Sequence, residues 1–154
     1  MEVEIFVKDA DKSVNSYQDA IQFAGNLMLQ SANIDAKYID ACIDREVDFP
    51  TGLLLQNGSG VAMPHGDAKL VRHDSVSLVR IPQGVEFGKM EDKDQKVKCS
   101  LVFNLALTSG EKHITVLRKL VSSFQNPSFI DYCSYEKAAE VKKYVSETLL
   151  AEKE

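Results

Sequence analysis

The run Val97-Lys98-Cys99-Ser100-Leu101-Val102-Phe103-Asn104-Leu105-Ala106-Leu107 leaves this chain little choice of architecture. Rich in β-branched, aromatic and aliphatic side chains, it reads as a long central strand buried on at least one face, so other segments must cover it. The covering segments are legible as helices. From Ser16 to Ser31, Ala20, Ile21, Ala24, Leu27 and Met28 recur at three- and four-residue intervals, with Asn15 or Ser16 as N-cap. A second helix is predicted from Asp35 to Asp48, with Ile39, Cys42 and Ile43 on one face, Arg45 in its last turn and Phe49-Pro50 ending it. After Ser109, placed as a cap, Ile114, Leu117, Leu120, Val121 and Phe124 give a helix from Gly110 to Asn126-Pro127. A final helix is predicted from Ser134 to Ala151, with Ala138, Val141, Val145 and Leu149 inward.

Shorter strand patterns lie between these helices. Val3 to Lys8 alternates apolar and polar residues, Leu53 to Leu55 and Val61 to Met63 flank an Asn57-Gly58 turn as a hairpin, and Ser75 to Ile81 alternates again. Pro82-Gln83-Gly84 reads as a turn before a short strand at Val85 to Phe87, and the charged stretch Glu91 to Lys98 as a solvated connection. Strands and helices intermingle, which predicts an α/β fold: a mixed β-sheet flanked by helices as a three-layer sandwich.

Composition narrows the function classes. A chain of 154 residues fits one domain, here 1–154, large enough for a continuous core without disulfide or metal staples. Cys42, Cys99 and Cys133 are odd in number and far apart, as suits reduced buried thiols rather than a disulfide framework or paired metal ligands. A net charge of −5 disfavours a nucleic-acid surface, which needs a basic field. No apolar stretch is long enough for a membrane span and the start Met1-Glu2-Val3-Glu4 has no basic lead, so a cytoplasmic protein is expected. No GxxxxGK[ST], GxGxxG, HExxH or paired-cysteine spacing occurs, so neither a nucleotide cofactor nor a metal is expected.

One corner carries chemistry. In Gly60-Val61-Ala62-Met63-Pro64-His65-Gly66, Pro64 fixes its own φ and pushes Met63 toward extended geometry, and Gly66 lets the chain turn away. His65 is thereby an exposed imidazole on a stiff backbone, suited to a nucleophile. His113 falls in the first turn of a helix, where the partial positive charge disfavours the imidazolium. His73, in the polar stretch Lys69 to Asp74, reads as a solvated loop residue. Arg45 is either a cation complementing its helix dipole and pairing with Glu46 or Asp48, or a guanidinium fork for an anion. Thr51 either turns the chain before Gly52 or contacts a phosphate, and the second ring nitrogen of His65 needs an orienting acceptor, commonly a backbone carbonyl, with Asp67 as the other candidate.

The blocks Arg45-Glu46, Pro50-Thr51-Gly52, Gly60 to His65, and Leu101-Val102-Phe103 leading to His113 with Leu117 and Leu120 occur here in order. In that order they resemble the fructose/mannitol/galactitol-type IIA domains, EIIA type 2, of the bacterial phosphoenolpyruvate-dependent sugar phosphotransferase system (PTS). The longer segment between Gly52 and Gly60 looks most like the galactitol-type branch. The resemblance implies the fructose/mannitol-type EIIA fold and a phosphotransferase component. It implies that His65 accepts a phosphoryl group on Nε2 from the phosphohistidine of HPr and passes it to an EIIB component, with His113 and Arg45 stabilising the group. Contact with a membrane EIIC would come only through EIIB. Transient docking of two proteins calls for a shallow apolar face around His65, with Met63, Phe49 and Leu55 as contributors. A regulatory module, whose histidine phosphorylation controls a partner protein, is the alternative.

Overall fold

The computed structural model describes residues 3–108 and 110–150. In chain order the elements are β1 (Glu4–Asp9), α1 (Tyr17–Gln30), α2 (Tyr38–Asp48), β2 (Leu53–Leu54), β3 (Gly60–Ala62), a 3-10 turn (Ala68–Leu70), β4 (Ser75–Lys89), β5 (Asp92–Ala106), α3 (Gly110–Phe124), α4 (Pro127–Tyr135) and α5 (Ala138–Leu150). Among the described residues the strands form one mixed sheet of order β1-β4-β5-β3-β2. β1 runs parallel to β4 and β3 parallel to β5, whereas β4 with β5 and β2 with β3 are antiparallel.

The central strand is buried on both faces. Leu101, Phe103, Leu105 and Leu107 point into a core built with Val116, Leu120 and Phe124 of α3, Phe129 and Ile130 of α4, and Val141 and Val145 of α5. Their neighbours Val102 and Ala106 point the other way, against Ala20, Ile21, Ala24 and Met28 of α1 and Ile39 and Cys42 of α2. Period-two alternation thus feeds two separate helical layers, which is the expected three-layer sandwich. Phe103 sits with ring centroids 5.4 Å from Phe124 and 6.4 Å from Phe129, and each such buried ring contributes about 1.5–3 kcal/mol. Ser16 caps α1, accepting from the Asp19 N–H at 3.1 Å.

Three expectations are corrected. The segments Ser75 to Ile81 and Val85 to Phe87 are one strand, β4, whose register with β5 shifts between Arg80 and Val85. Pro82 cannot donate to a ladder and Gly84 has φ 74°, so Pro82-Gln83-Gly84 makes a bulge instead of a reversal. The charged stretch Glu91 to Lys98 is largely exposed, yet from Asp92 it is already β5, paired with the outer half of β4. Between the two predicted C-terminal helices lies α4: Asn126 accepts from the Ser128 N–H and Pro127 occupies the first turn, so the pair that ends α3 also starts a new helix. α5 accordingly begins at Ala138 rather than Ser134. Ser109, placed as a cap, and Ala151, the predicted end of the last helix, lie outside the described residues.

Candidate functional site

β3 delivers the corner. It lies between β5 and β2, with Val61 opposite Leu101 and Leu53, so the chain leaving Ala62 emerges beside the end of β5 and the start of α3. Four hydrogen bonds from outside then fix or surround the next residues. The Met63 N–H donates to Thr51 Oγ1 at 3.1 Å, and the Leu105 N–H donates to the Pro64 carbonyl at 2.9 Å. The Gly66 N–H donates to the Tyr38 hydroxyl at 3.0 Å, and that hydroxyl donates to the Leu105 carbonyl at 2.6 Å. Gly66 is needed here for proximity rather than for a left-handed φ: a Cβ would lie 3.2 Å from the Cys42 nitrogen and 3.3 Å from Ala41 in α2.

His65 is half-buried, with Nδ1 at 2.9 Å from the Met63 carbonyl oxygen. A carbonyl only accepts, so Nδ1 carries the proton and the lone pair of the neutral ring is at Nε2. Burial, chiefly, lowers the His65 pKa, with His113 and Arg45 adding to the effect and the Met63 bond opposing it. Asp67 does not orient the ring: its carboxylate accepts from the Lys69 N–H at 3.0 Å and caps the 3-10 turn, and the Met63 carbonyl takes the orienting place.

His113, in the first turn of α3, meets His65 edge to face with ring centroids 4.8 Å apart. Its pKa is lowered by burial and then by Arg45. Arg45 is exposed in the last turn of α2, its guanidinium 5.1 Å from the centroid of the exposed Phe49 ring. Neither carboxylate expected to pair with it does so: Glu46 turns to Thr51 and Asp48 faces Lys93 at 3.8 Å. The structure therefore brings His65 and His113 into ring contact with Arg45 acting on both electrostatically, while Thr51 is buried behind Met63 and Asp67 is engaged elsewhere. His73 is exposed on the loop before β4 and outside this cluster.

Met63 is 1% exposed and packs with Val61 into the core; it is no surface contributor. Leu55 is half-buried, and Phe49 stands out at 62% exposure. Ile114, beside His113, is also exposed.

Two further residues support the corner, Tyr38 and Glu46. Tyr38, 1% exposed, clamps Gly66 to β5 through its hydroxyl. Glu46, 4% exposed, accepts from the Thr51 N–H at 2.6 Å and from the Thr51 hydroxyl at 3.1 Å. The signal for Glu46 was present: with Ile39 and Cys42 it falls on the inward face of α2, where an acid needs a partner. Burial pushes its carboxyl up to about 7 against the pull of those Thr51 bonds. Cys42, Cys99 and Cys133 are buried thiols, each pushed up to about 12 chiefly by burial. Among the described residues no three His, Cys, Asp or Glu side chains gather as a metal site requires, and no helix is long and apolar enough to cross a membrane.

Chemically, this is a neutral imidazole of fixed tautomer beside a second neutral imidazole and a guanidinium. It offers an in-line nitrogen nucleophile with donors and positive charge alongside, which suits an incoming phosphoryl group. Residues 4–148 match the family model described as "Phosphoenolpyruvate-dependent sugar phosphotransferase system, EIIA 2". The mannitol-specific phosphotransferase enzyme IIA component of Staphylococcus aureus is 33% identical over 150 residues, covering 94% of this chain and 96% of its own length. A galactitol-specific EIIA component of Escherichia coli is 27% identical over 146 residues, covering 95% of each. Among solved structures, the Escherichia coli complex of enzyme IIAMTL with phosphorylated enzyme IIBMTL matches with TM-score 0.68 and 25% identity over 92% of each chain.

Proposed function

Because the chain belongs to the EIIA 2 family of the phosphoenolpyruvate-dependent sugar phosphotransferase system, we propose that His65 Nε2 is the atom that carries its phosphoryl group. The observation that supports this most is the 2.9 Å bond from Nδ1 to the Met63 carbonyl, which leaves Nε2 as the nucleophilic nitrogen. The donor is the phosphohistidine of HPr. Nε2 attacks phosphorus in line, the new N–P bond forms as the donor's N–P bond breaks, and the electron pair of that bond returns to the donor imidazole. No proton has to move, which is why a neutral ring with a lowered pKa is the useful form. Arg45 and His113 face the charge on the phosphoryl oxygens, Arg45 as a planar cation steadied on Phe49 and His113 as a neutral donor.

The acceptor is an EIIB component, in keeping with the mannitol complex whose fold this chain shares. Phe49 and Ile114, exposed beside Arg45 and His113, supply apolar contact for the two partners in turn. The system is one for a hexitol. The long connection from Gly52 to Gly60 supports the galactitol-type branch and the higher identity supports the mannitol-type one, so uptake assays with both hexitols discriminate between them.

The protein is incubated with labelled phosphoenolpyruvate, Enzyme I and HPr, and wild type is compared with His65→Ala. Label on wild type and none on the variant is expected; equal labelling of the two overturns the assignment. A regulatory module would take label in the same way, and the separating result is onward transfer to EIIB, expected here within the same assay.

A further inference from the structure

The corner that holds His65 is backed by a buried chain of hydrogen bonds that the transfer chemistry itself does not use. It begins at the Glu46 carboxylate, which accepts from the Thr51 N–H at 2.6 Å and from the Thr51 hydroxyl at 3.1 Å to each oxygen. Thr51 Oγ1 in turn accepts from the Met63 N–H at 3.1 Å. The Met63 carbonyl, one peptide further on, accepts from His65 Nδ1 at 2.9 Å. Glu46 and Thr51 are each 4% exposed, and Met63 is 1% exposed, so water does not compete for these groups.

We propose that Glu46 and Thr51 are positioning residues for His65: together they hold the Met63 peptide so that its carbonyl selects the Nδ1–H tautomer and aims Nε2 outward. The inference rests on the phosphoryl-carrier reading of His65 given above. Direction follows from donor and acceptor chemistry. A hydroxyl that donates to a carboxylate is a stronger acceptor at its own lone pairs, so the carboxylate tightens the Thr51 hold on the Met63 N–H. With that N–H fixed on one side and Pro64 restricting Met63 on the other, the Met63 carbonyl has one direction in which to point. Both bonds from Thr51 favour the ionised carboxylate against the burial that opposes it.

No step of transfer needs Glu46 or Thr51 to touch phosphorus, and both are buried. Their action is geometric, and geometry of this kind is worth much: misplacing a nucleophile by an ångström costs on the order of 10²-fold in rate. It also explains why an acid occupies the inward face of α2, where an apolar residue would bury at no electrostatic cost.

The test uses Thr51→Val, which keeps shape and removes the hydroxyl, Thr51→Ser, which restores it, and Glu46→Gln, which keeps shape and removes the charge. Each is measured at pH 8, above the value of about 7 to which burial pushes the Glu46 carboxyl, for transfer from phosphorylated HPr and for the ring tautomer by ¹⁵N NMR of histidine-labelled protein. Expected for Thr51→Val is a fall of about 10–100-fold in kcat with KM for HPr unchanged, and an Nε2–H population that wild type lacks. Thr51→Ser returns both readouts to within about threefold of wild type, and Glu46→Gln lies between. Wild-type kcat and tautomer in folded Thr51→Val overturn the proposal. If Thr51→Val does not fold, Glu46→Gln decides: a wild-type tautomer and rate in that variant overturn it equally. A wild type that takes no label on His65 overturns the carrier reading instead, and the tautomer spectra still judge the chain of bonds.

Discussion

His65 and His113 meet edge to face, ring centroids 4.8 Å apart and planes inclined at 69°, although one ring follows β3 and the other rides on α3. The sheet makes that meeting possible: β3 and β5 run parallel, so the loop after β3 and the helix after β5 leave the sheet from the same edge. His113→Ala is therefore expected to slow phosphoryl transfer on the order of 10²-fold while the fold persists, since the ring is only half-buried. Transfer kinetics with circular dichroism as the folding control check this.

Arg45 lowers the pKa of both histidines. Arg45→Ala should raise both, and it should reduce transfer by about 10–100-fold by removing the fork that faces the phosphoryl oxygens. Because only neutral His65 offers the Nε2 lone pair, transfer by wild type holds above the lowered His65 pKa and falls as pH drops through it; in Arg45→Ala that fall begins at higher pH. Histidine titrations by NMR and rates across pH 5–8 measure both effects. An unchanged rate in Arg45→Ala returns Arg45 to the role of helix-end cation.

Glu46 gives the protein a pH-dependent stability of definite sign. Its carboxyl lies at about 7 in the fold and at 4.5 when unperturbed, so between these values the folded state holds a proton that the unfolded state has lost. That contribution is fully present below about 4.5 and disappears as pH rises through about 7, a change of about 3 kcal/mol at most. The thiols of Cys42 and Cys99, pushed up to about 12, stay neutral over this window, so they leave the sign intact. The difference in unfolding free energy between wild type and Glu46→Gln, followed by urea titration from pH 4 to 8, isolates it. A difference that does not vary with pH contradicts the assignment.

Tyr38→Phe keeps the buried ring and removes the hydroxyl that joins Gly66 to Leu105. It leaves the Gly66 N–H without its partner, a cost of about 1–3 kcal/mol in urea unfolding. Loosening of the His65 corner should accompany it, read as faster hydrogen exchange at Gly66.

The sequence disclosed those parts of the site whose physics is local. Pro64, His65 and Gly66 are adjacent, and the stiffness of the corner follows from backbone rules that need no partner. The end of α2 at Phe49 and the Asn57-Gly58 turn are legible for the same reason, and so is the burial of β5, which only its composition had to announce. Tyr38 was not, because its hydroxyl meets groups 28 and 67 residues away. For Thr51 the sequence leaves a turn residue and a phosphate contact both open, since nothing in Pro50-Thr51-Gly52 says that its hydroxyl lies under Met63. Met63 adjoins the His65 corner in sequence, yet its side chain turns inward to join Val61 in the core, a placement set by the elements packed against it and not by its sequence neighbours. α4 was hidden by an ambiguity: Asn126-Pro127 ends one helix and begins the next with the same two residues.

The most direct test of the account is to locate the phosphoryl group itself. Protein phosphorylated by phosphoenolpyruvate, Enzyme I and HPr, labelled with ¹⁵N in histidine, is examined by ¹⁵N and ³¹P NMR. A single phosphohistidine at His65 substituted on Nε2, absent from His65→Ala, is predicted. Phosphorus on Nδ1, on His113 or on His73 contradicts the account.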